Sequence, residues 1–381
     1  VYETEAGGIT QKISFTKVPI EQIKMQCPLI EKNNIKLEIP GFLFIDTPGH
    51  AAFSHLRKRG GSLADMAILL IDINEGIKPQ TQEVIEILKI NKVPFIVALN
   101  KIDNISGWRK QSEDLKDSIE KQSTNTKNSF QEKLLTLIGS LYYNGFNAKP
   151  YYDVSDFSKE LALVPCSAKT GEGIQELILM IVGLSEKFLK KNLQLGTKTK
   201  GIILEIKKEK NMQYAESIIY DGKLDLNDEI AIASFDNPII TKIRVLEEIE
   251  PLSNKFKNKK LVTASAGIRM QLINSENILP GMPFTVINNN IEEIKKEFKK
   301  EIDLIKTDKE GIIIKADSLG SLEALITLLK QEKIKIIKAG IGSINKKDLI
   351  SAETNLKENP LNAVIIGFNV QVDEEIKELN V

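Results

Sequence analysis

The chain has 381 residues, of which 42% are hydrophobic and 27% are charged, a composition typical of a folded protein with an extensive apolar core. Its 52 Lys and Arg residues balance 52 Asp and Glu residues, and this zero net charge excludes both a basic nucleic-acid-coating protein and an acidic disordered one. Cys27 and Cys166 are too few for a disulfide framework or a multi-thiolate zinc site, which indicates a reducing compartment. No apolar run approaches the roughly 20 residues of a membrane span, so we expect a cytoplasmic protein with no membrane partner.

Strands and helices alternate in the first half of the chain. The apolar runs 67–73 and 94–99 are typical of buried parallel strands, and helical spacing separates them at 81–90. Earlier strands are predicted at 35–39 and 42–45. The alternation predicts a mostly parallel α/β sheet that binds ligands at the carboxyl ends of its strands.

Composition shifts divide the chain into three predicted domains. The α/β pattern covers 1–192 and is interrupted by a polar helical insertion at 106–160. Short strands separated by turns across 193–290 favour a small antiparallel β-barrel. A charged linker helix is predicted at 291–306, and 307–381 reads as a small three-layer α/β/α domain.

The first motif with evident chemistry is Asp46-Thr-Pro-Gly49-His50. A carboxylate at the tip of a buried strand suits a metal–phosphate site, where Asp46 could hold Mg²⁺ through water. The Gly49 amide could approach a terminal phosphate because glycine has no side chain to obstruct it. A plain turn after a strand is the structural alternative.

The second motif is Asn100-Lys101-Ile102-Asp103. The Asp103 carboxylate can accept hydrogen bonds from N1–H and the exocyclic amine of guanine, a pair of donors that adenine does not present. Asn100 would hold the base-binding loop together, and the stem of Lys101 would lie over the purine face.

The third motif, Ser167-Ala168-Lys169, follows another predicted strand, where backbone N–H groups could read guanine O6. All three motifs stand at strand ends and in the order that a guanine-nucleotide site requires. Chance is a poor explanation for that joint occurrence.

These residues resemble the translational GTPases and, more narrowly, the family of translation initiation factor 5B, the archaeal and eukaryotic counterpart of bacterial initiation factor 2. The resemblance covers nearly the whole chain. Residues 5–11 are similar to switch I of the family, and residues 46–65 are similar to switch II, which continues at 72–82. The insertion that starts at the Gly-Trp pair 107–108 and the string 316–325 in the last domain are also similar to the family.

The resemblance implies GTP or GDP and Mg²⁺ as cofactors. It makes Thr10 the switch I residue that coordinates Mg²⁺ and senses the γ-phosphate, with Asp46 holding Mg²⁺ through a water molecule. Gly49 would supply the amide to the γ-phosphate. His50 would orient the attacking water when the ribosome docks, which suits a reaction dominated by positioning and charge neutralisation.

The resemblance also implies a GTP hydrolase that promotes ribosomal subunit joining and initiator tRNA placement, with hydrolysis releasing the factor. The implied partners are both ribosomal subunits with their RNA, and initiator tRNA through a further C-terminal domain. Another initiation factor is a further candidate partner, and a monomer is expected.

One expected motif is missing from the sequence. The phosphate loop requires G-x-x-x-x-G-K-[ST], whereas the only Gly-Lys pair here, Gly222-Lys223, lies in the predicted barrel and has no Gly five residues before it. We therefore expect an internal fragment without the phosphate loop or the C-terminal domain, inactive as a GTPase by itself.

Two other functions are considered. The chain could be a non-hydrolysing ribosome-binding module that uses the basic clusters 57–59 and 257–260 for phosphate contacts. It could also be an elongation-type GTPase that delivers aminoacyl-tRNA. The long insertion and the string 318–325 argue against the elongation type.

Overall fold

The structure is a computed structural model. It describes residues 14–46, 64–90, 92–189, 194–209, 212–234, 237–273, 278, 280–287, 291–302, 310–316, 322, 325–326, 328–329, 332–358 and 360–373.

These residues fall into two compact units. One contains the described parts of Val18–Phe42 and Arg57–Gln194, and the other contains the described parts of Val1–Lys17, Leu43–Leu56 and Leu195–Val381. In the described part of the chain, no helix is both long enough and apolar enough to cross a membrane.

A four-stranded parallel sheet forms the centre of the first unit. Its strand order is β3-β4-β6-β5. The strands are apolar on both faces because helices cover both faces of a parallel sheet. The fully buried Val97 and Leu99 lie at its centre. The strands, with the helix that follows β3 and the helix that follows β6, are β3 (Ala67–Asp72), α3 (Pro79–Ile90), β4 (Phe95–Asn100), β5 (Asn147–Pro150), β6 (Glu160–Pro165) and α6 (Ile174–Leu184).

The predicted insertion contains two helices, α4 (Leu115–Glu120) and α5 (Thr124–Tyr143), and it also supplies the edge strand β5. Each helix begins at a capping side chain, since Asp114 accepts a hydrogen bond from Asp117 N and Ser123 accepts one from Thr126 N. The caps and apolar faces thus explain a stable helical pair at this position. The largest fully buried side chains of the insertion are Leu115, Phe130, Leu137 and Leu141.

The strand predicted at 35–39 is wrong, because no strand forms there. The backbone N–H groups of Glu38 and Ile39 donate instead to the Glu186 carboxylate, at 2.6 and 2.8 Å. Those bonds leave the segment as a loop packed against two short helices. The elements that precede β3 are β1 (Ser14–Pro19), α1 (Ile20–Gln26), α2 (Leu29–Lys32) and β2 (Gly41–Asp46), with β1 and β2 in a two-stranded sheet.

Six antiparallel strands of the second unit close into a barrel, in the order β10-β15-β7-β8-β14-β11 with β11 pairing back to β10. Closure leaves no open edge among these six strands. The barrel core is aliphatic, with Phe284 as its largest fully buried side chain. The strands of this region are β7 (Lys200–Glu209), β8 (Met212–Asp221), β9 (Lys223–Asp225), β10 (Glu229–Ile232), β11 (Ile239–Ile249), β12 (Phe256–Asn258), β13 (Leu261–Thr263), β14 (Ala266–Leu272) and β15 (Pro283–Val286).

The last region is a small α/β domain with a parallel sheet of strand order β17-β16-β18. The fold class predicted from the sequence, a parallel-sheet domain followed by a barrel and a smaller α/β domain, is confirmed. The elements of this region and of the helix before it are α7 (Ile291–Ile302), β16 (Ile312–Ala316), β17 (Ile336–Ile341), α8 (Lys346–Glu358) and β18 (Ile365–Phe368).

Candidate functional site

Polar side chains meet at the carboxyl end of the four-stranded sheet. β3 pairs with β4 in a register that sets Asp72 beside Asn100, and β6 ends two residues before Ser167. Because parallel strands bring their carboxyl ends to one edge, the loops after all three strands lie together there. The sequence-predicted residues Asn100, Lys101, Asp103 and Ser167 to Lys169 therefore share one site.

Asn100 joins two of these loops. Its side-chain oxygen Oδ1 accepts a hydrogen bond from Lys101 N at 2.8 Å and another from Ala168 N at 3.0 Å. One amide oxygen can accept both because it carries two lone pairs. The predicted role of Asn100 as the residue that ties the base-binding loop together agrees with this geometry.

Lys101 occupies a left-handed turn, with φ of 66°, and its ammonium group lies 2.8 Å from Asp72 Oδ2. Asp72 also accepts a hydrogen bond from Asn74 N at 2.9 Å, and Asn74 Nδ2 donates to Lys101 O at 3.1 Å. Burial acts to raise the pKa of Asp72, but the hydrogen bonds and charge of Lys101 and Asn74 lower it below its usual value. Hydrogen bonding to Asp72 in turn raises the pKa of Lys101.

Asp72 and Asn74 are functional candidates that the sequence reasoning missed. Both belong to the string Asp72-Ile-Asn74, which follows a buried strand as the three recognised motifs do. Their position directly after a buried strand could have identified them as candidates. Their contacts fix where the Lys101 side chain stands, so they act through another residue.

Asp103 lies in the 3₁₀ turn Ile102–Asn104. The turn is anchored by the fully buried Ile102, whose N–H donates to Cys166 O at 3.3 Å. The half-buried Asp103 carboxylate makes no hydrogen bond or ion pair with another described residue. Two acceptor oxygens are thus held open next to the Asn100 junction.

The loop from Ser167 to Gly173 uses most of its own N–H groups. Ser167 N donates to Glu172 O at 2.8 Å, and Ala168 N donates to Asn100, whereas Lys169 N makes no hydrogen bond with a described residue. Gly173, with φ of 77°, begins α6 so close to the strand that a Cβ atom would lie 2.1 Å from Pro165 O. Glycine is required there, which fixes where the loop turns into the helix.

The predicted phosphate side of the site is described only at Asp46, which is exposed and ends β2. Thr10, Gly49 and His50 lie outside the described residues. Within the described ranges, no group of three or more His, Cys, Asp or Glu side chains could hold a metal ion.

An open carboxylate, an amide that joins two loops and an exposed loop N–H lie together at the carboxyl edge of a parallel sheet, the edge where such sheets bind ligands. The model of the Elongation factor Tu GTP binding domain family matches residues 1–187, and that of the Translation-initiation factor 2 family matches residues 286–380.

Relatives of known sequence and structure extend the match along the chain. It is 44% identical over 398 residues to the probable translation initiation factor IF-2 of Archaeoglobus fulgidus, covering 100% of this chain and 66% of that protein. It is 43% identical over 390 residues to the protein of that name from Methanopyrus kandleri, covering 98% of this chain and 65% of that protein. The crystal structure of GDP-bound aIF5B from Aeropyrum pernix superposes with a TM-score of 0.81 at 37% identity, covering 98% of this chain and 65% of that one.

The chain belongs to the IF-2/aIF5B family of translation initiation factors, which are translational GTPases. It spans 65–66% of the length of the two curated relatives compared here.

Proposed function

We propose that the intact protein is a translation initiation GTPase that promotes joining of the ribosomal subunits and placement of initiator tRNA, and that GTP hydrolysis releases it. The observation that carries this proposal is the Asn100–Ala168 hydrogen bond of 3.0 Å, which joins two loops beside the open Asp103 carboxylate. Family membership supports the link to initiation, since relatives 44% and 43% identical to this chain are named translation initiation factors.

In the proposed complex, Asp103 accepts hydrogen bonds from the N1–H and the exocyclic amine of guanine, and the stem of Lys101 covers the purine face. The Asp72 carboxylate, 2.8 Å from Lys101 Nζ, holds the end of that stem in place. Backbone N–H groups of Ser167 to Lys169 read guanine O6, with Lys169 N the one that makes no hydrogen bond with a described residue. The GDP-bound state of the Aeropyrum pernix protein supports this ligand class.

On the phosphate side, we propose that Thr10 and Asp46 hold Mg²⁺, that the Gly49 amide contacts the γ-phosphate and that His50 orients the attacking water. When bound, Mg²⁺ neutralises charge on the β- and γ-phosphates. Family resemblance is what supports these four assignments.

We propose the cytoplasm as the location, a monomer as the state, and both ribosomal subunits with their RNA, initiator tRNA and another initiation factor as partners. The domain boundaries 1–192, 193–290 and 307–381, with a linker helix at 291–306, belong to the same proposal. The 381-residue chain contains no G-x-x-x-x-G-K-[ST] motif, so we expect it to bind GTP poorly by itself.

The test is a competition titration with the full-length gene product and fluorescent GDP. GTP should displace the probe at least about a hundredfold better than ATP, because a half-buried carboxylate that finds no donors on the base disfavours that base. Purified ribosomes should then stimulate GTP hydrolysis. Equal displacement by ATP would contradict guanine recognition, and selective binding without ribosome-stimulated hydrolysis would contradict the enzymatic part.

A further inference from the structure

A buried carboxylate connects the helical insertion to the base-reading loop. Glu172 is 4% exposed, and it accepts hydrogen bonds from Trp108 Nε1 at 3.0 Å and from Ser118 Oγ at 2.6 Å. Ser118 lies in α4 and is fully buried, while the Trp108 ring packs on Phe130 of α5 with centroids 5.5 Å apart. Both oxygens of this carboxylate therefore bind donors from the insertion.

Backbone hydrogen bonds carry this connection into the loop that follows β6. Glu172 O accepts from Ser167 N at 2.8 Å, Gly171 N donates to Ser167 O at 2.9 Å, and Thr170 N donates to Ser167 Oγ at 3.1 Å. The loop is thus a closed turn with Glu172 at one end. A shift of the Glu172 side chain would move the backbone that presents Ser167 to Lys169.

Trp108 is linked in the same way to the other base-reading loop. It follows Asp103 by five residues, and its backbone N–H donates to Ile105 O at 3.0 Å, while the backbone N–H of Ile105 donates to Ile102 O at 3.0 Å. Successive turns therefore connect Asp103 to the Trp108 indole. The Trp108–Glu172 hydrogen bond consequently spans the same two loops that Asn100 already joins to Ala168.

We propose that Trp108 and Glu172 are positioning residues for guanine recognition and form the outer end of a clamp, whose inner end is made by the Asn100–Ala168 and Ile102–Cys166 hydrogen bonds. Contacts at the inner end alone leave the outer parts of the two loops free to separate, whereas contacts at both ends fix their relative orientation. The clamp sets where the Asp103 carboxylate stands relative to the loop after β6. This inference rests on the proposed function, because it concerns how the same site holds guanine.

A buried carboxylate with two donors is costly to disturb, since removal of one donor leaves a charged acceptor underused inside the protein. The sequence separation of 64 residues between Trp108 and Glu172 also means that the contact exists only when the insertion is folded against the sheet. The insertion thereby acquires a role in nucleotide binding without touching the nucleotide.

The experiment compares GDP with inosine diphosphate on the full-length gene product. Inosine diphosphate lacks the exocyclic amine that Asp103 reads, so the ratio of the two affinities reports the position of that carboxylate. In Trp108→Phe, which keeps an aromatic ring against Phe130 but removes the donor, GDP should dissociate about tenfold faster. The preference for GDP over inosine diphosphate should fall at least about threefold, because misplaced acceptors lose discrimination.

Glu172→Gln is the second variant, since it keeps the side-chain size and one acceptor oxygen, and it should show a smaller change in the same direction. Leu141→Val is the matched control, because it trims another fully buried side chain of the insertion, near the C-terminal end of α5, which makes no hydrogen bond with either base-reading loop. Its GDP dissociation rate and base preference should stay within about twofold of wild type.

Unchanged GDP release and base preference in folded Trp108→Phe and Glu172→Gln would overturn the clamp. Equal changes in Leu141→Val would overturn it as well, because they would show a general loss of stability. Preference of the wild-type protein for GDP over ADP keeps the proposed function standing in either case. A wild-type protein without that preference would overturn both proposals.

Discussion

Two parallel-sheet domains in this chain each contain a Lys–Asp ion pair, and the two pairs differ in their exposure to water. At the edge that we propose reads the base, Lys101 and Asp72 lie 2.8 Å apart with side chains 53% and 16% exposed. In the last domain, Lys315 and Asp348 lie 3.0 Å apart with side chains 8% and 1% exposed. The chemistry is the same, but one pair faces solvent and the other is enclosed.

The enclosed pair is also saturated. Asp348 accepts from Lys315, from Lys338 at 3.0 Å and from Asn345 N at 3.1 Å, and although burial opposes it, these contacts lower the pKa of Asp348. At the base-reading edge, by contrast, the neighbouring Asp103 finds no hydrogen-bond partner among the described residues. Saturation of every acceptor is typical of a structural cluster, whereas an acceptor held open beside fixed loops is typical of a binding site.

The largest effect is expected from Asp348→Ala. It should destabilise the last domain by about 3–5 kcal/mol, because Lys315 would remain charged and buried without a partner. Asp72→Ala should cost about 1 kcal/mol or less in its own sheet. Hydrogen exchange measures both losses, at the β16 amides for Asp348→Ala and at the β3 amides for Asp72→Ala. Similar losses in the two variants would erase the distinction between the two pairs.

Asn100→Ala comes next. It removes the acceptor for Lys101 N and Ala168 N, and we expect GDP affinity of the full-length protein to fall by about 2 kcal/mol, roughly thirtyfold. Asn100→Asp keeps an acceptor oxygen of the same shape and should lose less. Isothermal titration with GDP gives both values, and an Asn100→Ala protein with wild-type affinity would show that the junction does not matter.

A smaller effect concerns pH. Because the pKa of Asp72 is lowered in the folded state, its pair with Lys101 contributes stability that is present above the unfolded pKa of about 4 and is lost as pH falls through the folded value. The contribution is about 0.5 kcal/mol, since Lys101 is half exposed and water screens the pair. Unfolding of wild type and Asp72→Asn should therefore differ at pH 7 and converge near pH 2. A constant difference down to pH 2 would refute the assignment.

The smallest expected signal is an absence of reaction at Cys166. This residue precedes the Ser167 loop and is 3% exposed, and burial raises the pKa of its thiol to about 12. Iodoacetamide at pH 8 should leave Cys166 unmodified in the native protein and alkylate it after unfolding. Rapid labelling of the native protein, detected by peptide mass spectrometry, would show that solvent reaches Cys166 and would contradict its burial beneath the loop after β6.

Much of the carboxyl edge of the four-stranded sheet could be predicted from the sequence. The runs at 67–73 and 94–99 are apolar because both faces of a parallel strand are buried, and the polar residue that ends each strand marks the binding edge. Asn100 and Asp103 are three residues apart, and this closeness in sequence was sufficient to place them in one loop. The phosphate-side residues Thr10, Gly49 and His50 stay predictions from motif resemblance.

Contacts between distant segments could not be predicted in this way. The strand expected at 35–39 had the right alternation, but Glu186 accepts the hydrogen bonds of its backbone from about 150 residues away, a partner that no local pattern indicates. Glu172 stands between two glycines after a recognised motif, yet its donors Trp108 and Ser118 are 64 and 54 residues earlier. Tertiary packing of the insertion decides both of those contacts.

The most direct test of guanine recognition exchanges a single group at the open carboxylate. In Asp103→Asn, the side chain offers one donor and one acceptor in place of two acceptors, which matches xanthine, where a carbonyl replaces the amine of guanine. Competition titration of the full-length protein should show that wild type prefers GDP to xanthosine diphosphate and that Asp103→Asn reverses this order. An Asp103→Asn protein that still prefers GDP would contradict the assignment of this edge as the guanine-reading site.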